Sequence, residues 1–139
     1  MNISINVWAV LLAGLSSMVI GMLYYSKPMF GADWMKLAKV DEKRFQKEMP
    51  KKMLGVFIAA LVTAEVVAYM TFLYHYAFLD SWVLSGVITS LLLWLGVSAT
   101  TIYVHNSLEQ RPSHLTYISM GNRLLTLLAM GLIIGWLHP

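Results

Sequence analysis

The stretch LGVFIAALVTAEVVAYMTFLYHYAF, residues 54–78, decides the fold. Its roughly 25 residues are almost wholly apolar, and at about 1.5 Å of helical rise each they outspan the roughly 30 Å hydrocarbon core of a bilayer. One carboxylate, Glu65, interrupts the run near its middle. A charge at such a depth costs about 2.5 to 3.5 kcal/mol, so it calls for a partner or for water. Arg123, in the last apolar stretch, offers one. Counted from the same side, Glu65 lies roughly 18 Å into its stretch from Met53 and Arg123 roughly 15 Å into its own from Ser113, an offset that an arginine side chain covers. A guanidinium–carboxylate fork is therefore expected between Glu65 and Arg123, with Asn122, Tyr69, Ser119 or Thr126 taking up the remaining hydrogen bonds. Two roles stay open for the pair: a buried strut that fixes helix register, or a proton- or ion-coupled gate.

Composition agrees with a membrane class, since 58% of the 139 residues are hydrophobic and only 12% are charged. Four apolar stretches are long enough to span, at about 5–25, 53–79, 82–108 and 115–137, separated by one polar loop at 26–52. The expected fold is all-α, a single transmembrane domain over 1–139 arranged as an integral membrane four-helix up-down bundle. No Lys or Arg precedes the first stretch, so a retained span is expected there rather than a cleaved signal.

The polar loop holds eight Lys or Arg against four acids, and Arg111 marks the other turn on the same side. Positive-inside topology then predicts a cytoplasmic loop, both termini outside, and the lipid bilayer rather than nucleic acid as the partner of this charge. Within the loop, Asp33 is placed to cap a short amphipathic helix bearing Trp34, Leu37 and Ala38, and Asp41 a second bearing Phe45 and Met49. Asp80 marks a short outer turn, and Pro112 fits the start of the last helix. Small residues recur at four-residue spacing as Ala9, Ala13, Ser17 and Gly21, as Ala60, Ala64 and Ala68, as Gly86 and Ser90, and as Gly131 and Gly135. Such ridges let helix backbones approach closely, within one chain or between copies of a homo-oligomer.

Chemical signatures are sparse. The absence of cysteine excludes thiolate nucleophiles, thiolate metal sites and disulfides. No nucleophile motif or phosphate-cradling loop is present, and His75, His105, His114 and His138 are scattered, with His105 and His114 flanking one turn as the nearest thing to a metal pair. No enzyme activity, catalytic residue, metal or cofactor is expected.

Leu23-Tyr24-Tyr25-Ser26-Lys27-Pro28-Met29-Phe30-Gly31, followed by Trp34, resembles the pattern that ends the first span of the bacterial family called domain of unknown function 1761. The likeness continues through Leu93-Trp94-Leu95-Gly96, Thr100-Thr101, Asn106, Glu109, Arg111-Pro112 and Met130-Gly131 to Trp136. It implies a small four-span protein of the bacterial inner membrane, with Tyr25, Ser26, Pro28, Phe30, Gly31, Trp34, Asn106 and Arg111 near the cytoplasmic interface. Three functions remain open on the sequence: an oligomeric transport or channel-like subunit with an unidentified ion or small-molecule substrate, a non-transporting scaffold or partner-binding subunit, and a lipid-binding protein.

Overall fold

Asn6 opens the first helix, α1 (Val7–Tyr24), by accepting from the backbone N–H groups of Trp8 and Ala9. Its amide Nδ2 also donates to the Leu137 carbonyl at 2.9 Å, which joins the start of the first helix to the end of the last. In this computed structural model residues 4–79 and 81–138 are described, so the turn expected at Asp80 lies outside them.

The loop segment forms α2 (Gly31–Leu37), whose N-cap is Phe30 without a side-chain bond. Asp33 stands in the first turn instead of capping it, where a carboxylate still complements the helix dipole. Asp41 does cap α3 (Glu42–Phe78), accepting from Arg44 N–H at 2.9 Å. Here the structure departs from the expected boundary at 53, because the amphipathic segment and the span are one helix of 37 residues. Pro50 sits inside it. One stripe, Phe45, Met49, Met53, Val56, Ala60 and Thr63, runs through the proline at three- and four-residue spacing, so both segments turn the same side toward one cavity. The missing N–H of Pro50 leaves the Gln46 carbonyl without its helical donor. Leu79 ends α3 in the left-handed region, at φ 56°, with its N–H bonded to the His75 carbonyl.

Ser81 caps the next helix, α4 (Trp82–Leu108), which loosens into π-helical geometry over Trp94–Ala99. Pro112 precedes α5 (Ser113–Trp136), as its fixed φ suits. Helices α1, α3, α4 and α5 are each long and apolar enough to cross a membrane. Their outer faces expose large apolar side chains such as Leu15, Val19, Leu92 and Leu125.

Two contacts between small residues hold the helices together. A Cβ added to Gly86 on α4 would strike the Gly131 carbonyl on α5, and one on Gly135 would strike the Trp82 carbonyl, so these backbones touch directly. Ala9 and Ala13 of α1 and Ala64 and Ala68 of α3 are buried with Val67, Leu127, Met130 and Ile134 in one apolar core. These ridges are therefore used within the chain. Gly96, by contrast, faces open space.

Gly131→Leu should lower the stability of the protein in detergent by about 1 to 3 kcal/mol through overpacking, while Gly96→Ala leaves the thermal midpoint unchanged or slightly raised. Leu79→Gly should add about 0.4 to 1 kcal/mol by relieving the left-handed residue, read in the same thermal melts.

Candidate functional site

Along α1, α3 and α5 the apolar core stops, and a cavity of about 740 Å³ takes its place toward the α2 end. On α1 the buried Ala9 and Ala13 give way to Ser17, Met18, Gly21 and Met22 at its wall. On α3 the core residues Ala64 and Val67 are followed, toward the helix start, by Thr63, Ala60, Val56, Met53 and Met49. Asn122, Arg123 and Thr126 supply the α5 wall.

Arg123 is the only charged residue in the lining. Its backbone carbonyl accepts from Thr126 Oγ1 at 3.1 Å. The Tyr25 side chain lies close to those of Ser119 and Asn122 and within the field of the guanidinium. Asn122 Oδ1 is buried and has no hydrogen-bond partner. Of the four residues expected to support a charge pair, Asn122 and Thr126 line the cavity with Arg123, and Ser119 stands one turn earlier on α5.

Glu65 does not join them. Among the described residues no ion pair involves Glu65 or Arg123; those formed are exposed ones, such as Lys27 with Glu42 at 2.7 Å and Arg44 with Glu48 at 2.9 Å. The reason is azimuth. Successive residues turn about 100° around a helix, so Glu65 stands about 200° from the cavity-lining Thr63. It is exposed on the outward side of α3 beside Val62, Val66 and Tyr69, which is also why Tyr69 lends Arg123 no support. Equal depth did not entail a shared face.

The motif residues divide into two groups. From Tyr24 to Gly31 the chain folds tightly back: Phe30 N–H donates to the Tyr24 carbonyl at 3.1 Å and Gly31 N–H to the Ser26 carbonyl at 3.0 Å. A Cβ on Gly31 would collide with the carbonyls of Tyr25 and Ser26, so this turn requires glycine. The buried Tyr24 stacks on Phe30 at 4.6 Å, Tyr25 packs on Trp34 at 5.1 Å, and Trp34 meets Phe45 at 5.7 Å. Tyr25 and Phe45 line the cavity, so this aromatic chain forms its floor. Ser26 caps its own turn through a bond to the Leu23 carbonyl, and Pro28 lies exposed in the same fold-back. The hydrogen bond from exposed Lys27 to Glu42 raises the ammonium pKa above its ordinary value and links the fold-back to the first turn of α3.

Asn106 and Arg111 belong to the α4–α5 turn instead. Asn106 is buried, donates to Thr116 Oγ1 at 3.1 Å and accepts from Arg111 N–H at 2.9 Å, while the Arg111 guanidinium pairs with Glu109. His105 pairs with Glu109 at 3.0 Å rather than with His114. Among the described residues no group of three or more His, Cys, Asp or Glu is placed to hold a metal ion.

Two features escape the sequence reading. Methionines at four-residue spacing, Met18 with Met22 and Met49 with Met53, signal an adaptable wall on both α1 and α3. The π-helical turn begins at Trp94, whose indole N–H donates to the Met120 carbonyl at 3.0 Å, and nothing in the local pattern marks it.

These features describe an all-helical protein with four membrane-capable helices and a cavity that holds one guanidinium. The chain belongs to the family described as protein of unknown function (DUF1761), whose family model matches residues 8–135. Comparison with curated proteins and with solved structures gave no match.

A double-mutant cycle with Glu65→Gln and Arg123→Gln should be additive within about 0.5 kcal/mol in thermal or chemical unfolding, because the two side chains share no contact. A coupling above about 1 kcal/mol would contradict the placement of Glu65.

Proposed function

We propose that this protein is a multi-pass membrane protein that binds a lipophilic molecule in the cavity between α1, α3 and α5. It works by binding and carries out no reaction. The observation that carries this reading is the cavity itself: about 740 Å³, within the usual range for small-molecule sites, with a largely apolar wall of Met, Val and Ala and a few polar groups contributed by each of the three helices.

The membrane setting rests on several supports. Large apolar side chains cover the outer faces of the long helices, a surface that water tolerates poorly and hydrocarbon accepts. The four spans alternate in direction in our reading, a proposal supported by the Asn6–Leu137 bond at one end and the Asn106–Thr116 bond at the other. The basic segment 26–52 then lies on the cytoplasmic side of a bacterial inner membrane, with both termini opposite. The cavity falls in the cytoplasmic half.

Transport through a mid-membrane charge pair loses its support, because Glu65 and Arg123 face different ways.

Gly21 provides a clean test, since it lines the cavity and a Cβ added there meets nothing within 4 Å. Gly21→Phe should fill the space without disturbing the fold. Equilibrium binding of a radiolabelled long-chain alcohol to the purified protein in non-ionic detergent should fall at least about tenfold, with the thermal midpoint kept. Undiminished binding in a folded Gly21→Phe variant would rule this cavity out as the site.

A further inference from the structure

We infer that the ligand of this cavity is a single-chain amphiphile with a carboxylate head, held by Arg123 with its alkyl chain along the methionine wall. The inference rests on the binding role proposed above and adds the charge and chemical class of the occupant.

The argument starts from the guanidinium. Arg123 lies about ten residues into α5, and arginine stays protonated at any accessible pH. Among the described residues no acid lines the cavity and no ion pair reaches Arg123. A cation at that depth calls for water or an anion. The space in front of it is mostly apolar, so an anion that brings its own hydrocarbon satisfies both demands at once: the head bonds to Arg123 and the tail displaces water from Met18, Met22, Met49 and Met53.

Charge and geometry favour a carboxylate for the head. The lining offers one positive charge, which balances one negative charge, whereas a phosphate monoester carries about 1.5 to 2. The planar fork of a guanidinium matches the two oxygens of a carboxylate bidentately. Tyr25 lines the same cavity as Arg123. The apolar wall is flexible rather than shaped, because methionine adapts to its neighbour, so the head sets the selectivity and chain length matters less.

The test compares three ligands of equal chain length on the purified full-length protein in non-ionic detergent: a fatty carboxylate, the corresponding alcohol and a single-chain phosphodiester. The carboxylate should bind about 10- to 100-fold more tightly than the alcohol, as a charge-assisted pair provides. In Arg123→Gln the advantage should vanish while the alcohol binds as before, and Arg123→Lys should keep part of it. Equal binding of carboxylate and alcohol to the parent protein would overturn the inference and leave the cavity as a lipophilic site. A phosphodiester that binds more tightly than the carboxylate would also overturn it. Failure of all three ligands to bind would defeat the proposed function along with it. The parent-protein comparison decides the question even if an Arg123 variant does not fold.

Discussion

Close approach of helix backbones through small residues is the constraint on which this structure depends. Between apolar helices in an apolar medium there is little hydrophobic drive, so association falls to van der Waals packing, which improves as side chains shrink. The chain meets this need twice, with Gly86 against Gly131 between α4 and α5, and with the buried alanines of α1 and α3 around Val67, Leu127 and Met130. Where the small residues run out, the packing changes. Beyond Ala13 and Ala64 the facing positions become Ser17, Met18, Met22, Val56 and Met53, and the same three helices enclose a cavity instead of a core. The core fixes the distance between helices at one end, and the cavity is the space that this distance leaves at the other.

Charge is distributed in keeping with that division. The ion pairs among the described residues lie on exposed surfaces at the α2 end, where each contributes at most about 1 kcal/mol. Well inside the apolar stretches 54–78 and 115–137 stand Glu65 and Arg123. Glu65 faces outward on α3, whereas Arg123 lines the cavity, and a guanidinium cannot shed its charge. Arg123 stands in the cavity lining beside Tyr25, Asn122 and Thr126, with its side chain exposed.

Much of this was readable from the residues. Span lengths follow from hydropathy, the α3 start follows from the Asp41 cap, and the Gly131–Gly135 spacing correctly announces a close helix contact. The failures have physical causes. Depth along a helix can be counted from sequence, but azimuth depends on which face the partners cover, and a two-residue step between Thr63 and Glu65 reverses the side. The expected boundary at 53 follows the change from polar to apolar residues, yet the helix runs through Pro50, which removes one hydrogen bond, because one stripe faces the cavity on both sides of it. The cavity itself is an absence of packing, legible only through its methionines, and the π-helical turn at Trp94 depends on a carbonyl from a helix 26 residues away.

The energetics also separate the walls of the cavity by how firmly each is held. The α1 and α5 walls continue directly into the buried core, so moving them means breaking that core. The first turns of α3 are held more lightly: by the exposed Lys27–Glu42 pair and by the contact of Phe45 with Trp34. Such interactions contribute about 0 to 1 and about 0.5 to 1.5 kcal/mol respectively. Pro50, which removes a backbone bond at Gln46, lies between this lightly held segment and the firmly packed one. Residues 42–50 are therefore the wall that yields at least cost. They carry Phe45, Gln46 and Met49, all of which line the cavity, so the lightly held segment is itself part of the cavity wall.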